Sequence, residues 1–200
     1  MNNLSKPKKG RMASTYFRNY APKKGFYVEI GAFDGVSKNS TVILEKNNWE
    51  GVCIEANPYA FEKLKNNRKC RCINGALYNY TGNVDFAVMP ENKRGWDGIV
   101  ETLQPRAKKY LDQSEIHKIP CFDFENLNLP YKINYLQIDV EGAELEILNH
   151  IDFSKYDISH ICIEDNNKIL FDNDEYANYM ATKNYKLIYS EGVDFLYEKE

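Results

Sequence analysis

Oxygen-bearing side chains follow two short apolar runs in the second half of the chain. Asp139 closes the run 133–139, and Glu164, Asp165 and Asn166 close the run that begins at residue 159. In a parallel α/β sheet the carboxyl ends of neighbouring strands face the ligand crevice. A carboxylate in that position can remove the proton of a hydroxyl, which is otherwise a poor nucleophile. The sequence therefore predicts Asp139 or Glu164 as a catalytic base.

The same strand ends are compatible with a metal site. Asp139, Asp165 and Asn166 offer three oxygen ligands from two neighbouring strands, a set that suits Mg²⁺ or Mn²⁺. The alternative is structural: Glu141 and Glu144 stabilise the start of the next helix, and Asp165 and Asn166 form a turn. The residue types alone fit both interpretations.

A glycine-containing loop in the first half of the chain is typical of a nucleotide site. The segment Glu29-Ile-Gly-Ala-Phe-Asp-Gly35 ends an apolar run and precedes a predicted helix, whose N-terminus offers free N–H groups. The segment lacks the middle glycine of the dinucleotide fingerprint, which disfavours a nicotinamide dehydrogenase. An acid-flanked loop suits a ligand with a cationic end and no pyrophosphate, such as S-adenosylmethionine (SAM). The cofactor-binding candidates in this loop are Glu29, Gly31, Ala32, Asp34 and Gly35, and Asp139 is a further candidate as a wall of the same pocket.

Two further strand ends extend this predicted cofactor site. Glu55 closes the second apolar run, where a carboxylate can accept both ribose hydroxyls of an adenosine. Ala56 follows it directly. Asn74 and Ala76 end the third run, where a turn of small residues can contact the adenine through its backbone.

Residues 90–118 fit neither the helical nor the strand period, and we expect a long loop with at most one helix. Within it, Trp96 could stack on the apolar face of a sugar, and Arg94 or Asp97 could bond sugar hydroxyls. The alternative is that Trp96 anchors the loop by packing into the core. This region is the predicted substrate-recognition segment.

Alternating strands and helices must position these residues. We predict strands at 25–31, 51–57, 71–77, 83–89, 133–139 and 159–164, and a final hairpin of 185–189 and 194–197 with its turn at Gly192. Helices are predicted at 39–48, 58–67, 141–150 and 171–182. This order implies an α/β fold with a mainly parallel sheet covered by helices on both faces.

Composition favours one globular domain over residues 25–200, because the 200-residue chain is 43% hydrophobic. The net charge of −3 argues against a general nucleic-acid binder, although residues 1–28 carry seven Lys and Arg and no acid. We interpret 1–24 as a basic segment, either solvated or touching phosphate. We expect no membrane span and no secretory signal, and the five cysteines favour a cytoplasmic or other reducing compartment.

Several segments together resemble the FkbM-type methyltransferases, a branch of the SAM-dependent class I enzymes. The resemblance is carried by the segments 26–35, 39–41, 49–58, 74–77 and 135–145, and Ile-Asp-Val-Glu-Gly at 138–142 is the most specific part. It implies a Rossmann-like, seven-stranded sheet with an antiparallel last strand, and cofactor binding by Gly31, Asp34, Ser40 and Glu55. Ala56 departs from the proline that is common after the acid in that family.

The resemblance also implies O-methylation, often of sugar hydroxyls. We therefore expect a SAM-dependent O-methyltransferase that acts on a carbohydrate or glycan. The alternatives are O-methylation of a small metabolite, a lipid or an RNA ribose, and a SAM-binding module without catalytic activity. RNA would need a basic groove, which only the N-terminal segment supplies. The sequence does not assign an oligomeric state.

Overall fold

A computed structural model describes residues 23–37, 39–166 and 174–200. Its strands are β1 (Phe26–Ile30), β2 (Glu50–Glu55), β3 (Arg71–Asn74), β4 (Ala76–Leu77), β5 (Gly82–Val88), β6 (Gly98–Ile99), β7 (Glu115–Phe122), β8 (Lys132–Ile133), β9 (Tyr135–Ile138), β10 (Asp157–Ile158), β11 (His160–Glu164), β12 (Tyr185–Glu191) and β13 (Asp194–Lys199). Its α-helices are α1 (Val42–Lys46), α2 (Pro58–Asn67), α3 (Pro105–Lys108), α4 (Glu144–Asn149) and α5 (Glu175–Thr182).

The central sheet has seven strands in the order β3–β2–β1–β9–β11–β13–β12. The first five of these are parallel to one another, and β13 runs antiparallel to both of its neighbours. The strand order reverses direction between β1 and β9, which is where ligands bind in open α/β sheets. The predicted α/β fold with an antiparallel last strand is confirmed.

Both faces of this sheet are covered, as its apolar strands require. Along β1, Val28 and Ile30 enter one core, while Tyr27 enters the other. Met180 of α5 packs into the first core and Leu64 of α2 packs into the second. The alternation follows from the period of two in a strand, and it places helices on opposite sides of the sheet.

Local signals place one helix where the sequence predicts it, and the others are shorter. Helix α2 covers 58–67 because Asn57 caps it, accepting hydrogen bonds from Tyr59 N at 2.9 Å and Ala60 N at 3.2 Å. Helix α4 begins only at Glu144, because Glu141 and the next residue have positive φ angles. Helix α1 begins only at Val42. The first predicted residues of the last helix, 171–173, and most of the basic segment 1–24 lie outside the described residues.

The prediction for residues 90–118 was partly wrong. The region holds two short 3₁₀ helices, Glu91–Lys93 and Leu111–Gln113, together with β6, α3 and the start of β7. Strand β7 pairs antiparallel with β5 in a second sheet of order β4–β7–β5–β6. Its sequence is half exposed and contains Pro120, so periodicity alone does not reveal it. None of the described helices is long and apolar enough to cross a lipid bilayer.

Candidate active site

A cavity of about 440 Å³ opens at the carboxyl ends of β1, β2, β9 and β11. Its wall brings together most residues that the sequence predicts for cofactor, acceptor and catalysis: Glu29, Gly31, Ala32, Glu55, Ala56, Ala76, Arg94, Trp96, Asp97, Asp139, Glu164 and Asn166. Five predicted residues lie outside the described wall: Asp34, Gly35, Ser40, Asn74 and Asp165.

Gly31 forms the floor of the cavity between two strand ends. Its φ angle is +83°, and a Cβ atom there would collide with the carbonyl oxygen of Asp139. The N–H groups of Gly31 and Ala32 both donate to the carbonyl oxygen of Ile54, each at 3.0 Å. Glycine is therefore required because three strand ends meet backbone to backbone at this point.

Glu29 organises the loop that follows β1. Its buried carboxylate accepts hydrogen bonds from the Asn39 side chain at 2.8 Å, the Ser40 N–H at 3.2 Å and the Thr41 hydroxyl at 2.6 Å. Burial raises the pKa of Glu29, and the charge of Arg68 opposes this shift. The Glu29 carboxylate therefore fixes the end of this loop through its hydrogen bonds with residues 39–41.

Arg68 is a residue that the sequence analysis missed. Its guanidinium is fully buried and donates to Glu45 at 3.0 Å, to Tyr27 Oη at 2.8 Å and to Thr41 Oγ1 at 2.9 Å. It also lies 3.5 Å from the Glu29 carboxylate and donates to the Gly35 carbonyl oxygen at 3.2 Å. One cation at the end of α2 therefore ties together β1, α1 and the loop.

Glu55 lies in the wall with each carboxylate oxygen already oriented. Oε2 accepts the Phe33 N–H at 2.6 Å, and Oε1 accepts the Asn57 N–H at 2.7 Å. Burial raises the pKa of Glu55 to about 7, although both hydrogen bonds favour the ionised form. Each oxygen retains a lone pair for a hydroxyl donor.

The predicted residues outside the wall shape it indirectly. The Asp34 carboxylate accepts the N–H groups of Val36 at 3.0 Å and Ser37 at 2.6 Å, which closes a turn. Gly35 packs against the Arg68 side chain, and the Asn74 amide donates to the Glu55 carbonyl oxygen at 2.9 Å. Their predicted direct contact with the cofactor stays a prediction.

Three carboxylates converge at the other end of the cavity. One oxygen from each of Asp139, Glu141 and Glu164 lies within 4.8 Å of the others, and among the described residues they are the group that could share an ion. Asp165 is not in this group, whereas Asn166 lines the cavity and donates to Glu164 at 2.9 Å. The structure therefore brings Glu141 and Glu164 to Asp139 in place of the predicted Asp165.

The backbone and its neighbours hold this acidic group in place. Glu141 has a φ angle of +61°, a left-handed conformation that is unusual for a residue with a side chain. The Glu144 carboxylate accepts the N–H groups of Val140 at 3.1 Å and Gly142 at 3.1 Å, so it holds the turn before helix α4. Arg106 donates to the Glu141 carboxylate.

Burial makes protons bind tightly in this group. Burial, followed by the negative charges of Asp139 and Glu141, raises the pKa of Glu164 to about 10. Burial and the neighbouring Asp139 raise the pKa of Glu141 to about 7, against the effect of Arg106. At neutral pH Glu164 therefore carries a proton, and it hydrogen-bonds to Asp139.

Trp96 is both cavity wall and loop anchor. The Arg106 guanidinium lies 5.0 Å from its ring centroid, and the Lys93 ammonium lies 4.8 Å from it. The ring also packs against Tyr110, with centroids 6.2 Å apart. Arg106 in turn donates to the Asn166 side chain at 3.0 Å and to the Glu141 carboxylate. The Trp96 indole therefore packs against the guanidinium that contacts the acidic group.

The other two predicted acceptor residues differ in their freedom. Both oxygens of Asp97 accept hydrogen bonds, from the Met89 N–H at 2.7 Å and the Asn57 side chain at 2.9 Å. Arg94 is exposed, with its guanidinium 3.6 Å from Glu91. Asp97 thus fixes the loop to α2, while Arg94 can turn toward a ligand.

The family model for the methyltransferase FkbM domain matches residues 29–187. The chain belongs to the FkbM family of SAM-dependent class I methyltransferases. The family resemblance that the sequence motifs predict is confirmed. No curated protein matches the sequence significantly.

Solved structures of methyltransferases match this chain at low similarity. M. capricolum TrmK, in complex with S-adenosyl-homocysteine (SAH), is 14% identical with a TM-score of 0.43, and the match covers 90% of this chain and 63% of that chain. Precorrin-6y C5,15-methyltransferase from Geobacter metallireducens GS-15 is 10% identical with a TM-score of 0.48, and the match covers 94% of this chain and 87% of that chain. Likenesses at this level give no information about the acceptor.

Proposed function

We propose that this methyltransferase transfers the methyl group of SAM to a hydroxyl of a sugar or glycan. The observation that carries the proposal is that one cavity holds the paired acceptor atoms of Glu55 at one end and the carboxylates of Asp139, Glu141 and Glu164 at the other. The first set suits the ribose of a nucleoside, and the second set suits proton removal from a hydroxyl.

The residues at the first end fit the cofactor. Ala32, Ala56 and Ala76 give the wall small side chains beside Glu55, and a volume of about 440 Å³ is ordinary for a small-molecule site. The buried Glu55 carboxylate can accept both ribose hydroxyls, because its oxygens are already oriented by two backbone N–H groups. SAM, when bound, supplies a methyl group activated by its positively charged sulfonium.

At the second end, we assign the base to Asp139. Glu164 carries a proton at neutral pH and hydrogen-bonds to Asp139, so Glu164 is a poor proton acceptor. Asp139 takes the proton of the acceptor hydroxyl as the oxygen attacks the methyl group, and Glu164 orients the Asp139 carboxylate. Alignment of the hydroxyl with the methyl group supplies much of the remaining rate enhancement.

A divalent cation is a second way to activate the same hydroxyl. Asp139, Glu141 and Glu164 are all oxygen ligands and lie close enough together to fit Mg²⁺ or Mn²⁺, which would lower the pKa of an acceptor hydroxyl. Asp165 is not part of this group of carboxylates, so the predicted set of Asp139, Asp165 and Asn166 is the weaker one.

The wall beside the acidic group supports a hydroxyl-rich acceptor. Trp96, Arg94 and Arg106 line it with one aromatic ring and two guanidinium groups. Aromatic faces pack on the C–H faces of sugars, and guanidinium groups donate to ring and hydroxyl oxygens.

The test is transfer from SAM to a panel of sugars, nucleosides and lipids, with mass detection of the methylated product. We expect transfer to sugars, and Asp139→Asn should lower kcat by roughly 10²–10⁴-fold while SAH affinity by calorimetry stays within about threefold of wild type. Glu164→Gln should lower kcat far less, because glutamine resembles the protonated acid. Transfer only to nucleosides or lipids contradicts the sugar acceptor, and SAH binding with no transfer to any acceptor contradicts catalysis.

A further inference from the structure

Three cysteines gather on the face of the central sheet that carries α1 and α2. Cys53 in β2 lies opposite Cys72 in β3, and Cys70 lies two residues before Cys72 on the same side. The Sγ atoms of Cys53 and Cys70 are 3.5 Å apart. Because a disulfide bond is about 2.05 Å long, the two sulfur atoms need to approach each other by only about 1.5 Å to form one. All three cysteines are free thiols in the structure.

Only one member of the close pair is open to small solutes. Cys70 lines a second cavity of about 530 Å³, together with Phe26, Trp49 and Lys69 among others. Among the described residues, this cavity shares no lining residue with the cofactor cavity. Cys53 is fully buried behind Cys70. A small oxidant that enters the second cavity therefore meets Cys70 first.

The surroundings also favour a thiolate at Cys70. Hydrogen bonds with the Cys53 and Cys72 thiols, and the charge of Arg68, lower the pKa of Cys70. The hydrogen bond with Cys70 and burial raise the pKa of Cys53. The thiolate is the reactive form of cysteine toward peroxides and disulfides. Because of its position and its charge, Cys70 is the thiol that we expect to react first with an oxidant, and Cys53 is the thiol that then attacks the Cys70 sulfur.

We propose that Cys70 and Cys53 form a dithiol site that reacts with hydroperoxides. The Cys70 thiolate attacks one peroxide oxygen, so an S–O bond forms, the O–O bond breaks, and the leaving oxygen departs as water or an alcohol after taking a proton. Cys53 then loses its proton and attacks the Cys70 sulfur, forming the S–S bond and releasing water. The two thiols are oxidised by two electrons, and the peroxide is reduced by two.

The site lies one side chain away from the loop that follows β1, whose described residues 31–37 and 39–41 we call the cofactor loop. The Cys53 thiol donates to the Glu29 carboxylate at 3.7 Å, and Glu29 holds Asn39, Ser40 and Thr41. The Cys53 thiol has one proton, which serves either the Cys70 thiolate or Glu29, and disulfide formation removes it from both. We expect the oxidised protein to bind SAH about two- to threefold more weakly, as the loss of one weak hydrogen bond predicts.

The full chain is treated with hydrogen peroxide, denatured in N-ethylmaleimide and analysed by peptide mass spectrometry. We expect a disulfide between Cys53 and Cys70 that dithiothreitol reverses. Cys72→Ser and Cys162→Ser are matched controls and should still form it. Absence of this disulfide in the wild type, or its replacement by a bond to Cys72, overturns the proposal.

Two further variants test the order of the steps. In Cys53→Ala, dimedone should label Cys70, because the sulfenic acid has no partner to resolve it. In Cys70→Ala, dimedone should not label Cys53, and labelling there overturns the assigned order. Circular dichroism checks that both variants are folded before they are compared. Equal SAH affinity of the oxidised and reduced wild type, by calorimetry, overturns the link to the cofactor loop.

Discussion

Replacing Arg68 by methionine tests how the cofactor loop is held. Methionine keeps most of the volume of the arginine stem but removes the charge and every donor. The variant loses the bonds to Tyr27, Thr41 and Glu45, and it leaves the Glu29 carboxylate without its cation. We expect both lower stability and weaker cofactor binding, because Arg68 lies outside the cavity yet orders its loop.

The magnitude follows from the burial of the pair. Arg68 is fully buried at its side chain and Glu29 is 2% exposed there, and removing one partner of a buried ion pair costs about 3–5 kcal/mol. Burial already raises the pKa of Glu29, and protonation of Glu29 in the variant would offset part of this cost. We therefore expect a loss of about 3 kcal/mol in the free energy of unfolding at neutral pH.

The pH dependence has a definite sign. Without Arg68, the folded-state pKa of Glu29 rises further above its unfolded value. A raised carboxyl pKa means that the folded state holds a proton that the unfolded state has released. The stability of Arg68→Met should therefore fall, relative to wild type, as the pH rises above the ordinary pKa of a glutamate.

Urea unfolding followed by circular dichroism measures the free energy, and calorimetry with SAH measures the affinity. Arg71→Met is the matched control, because Arg71 is exposed and donates only to the Leu127 carbonyl oxygen among the described residues. It should cost less than about 1 kcal/mol. Equal losses in the two variants, or unchanged SAH affinity in Arg68→Met, would refute the reasoning.

Three other predictions concern the cavity itself. Glu55→Gln should weaken SAH binding by about 1–3 kcal/mol. In the wild type, calorimetry should show that SAH binds more tightly as the pH rises through about 7, because only the ionised Glu55 carboxylate accepts both ribose hydroxyls. An SAH affinity that does not change with pH contradicts this prediction. Trp96→Ala should raise the acceptor KM and leave SAH affinity within about twofold; a sharp fall in Tm with normal acceptor kinetics would instead identify Trp96 as an anchor alone. If a cation is required, excess chelator should abolish transfer and Mg²⁺ or Mn²⁺ should restore it, whereas full activity in chelator leaves Asp139 as the base.

The sequence by itself determines the elements that depend on local signals. Pro58 and the cap at Asn57 define α2, and the turn at Gly192 defines the final hairpin, because capping and turn chemistry act over a few residues. Glu55 and Asp139 are readable as site residues because each ends an apolar strand, and the carboxyl ends of parallel strands share one edge of the sheet.

Tertiary structure alone decides which side chains meet at that edge. Glu164 and Asn166 line the cavity and Asp165 between them does not, because the strand ends at Glu164 and only the tertiary path of the chain beyond it sets where the next two side chains point. Glu141 joins the group through a positive φ angle that its residue type does not signal. Arg68 reaches the cofactor loop from the end of α2, across a separation that no local pattern encodes, since only packing of α2 on the sheet brings its guanidinium to Glu29.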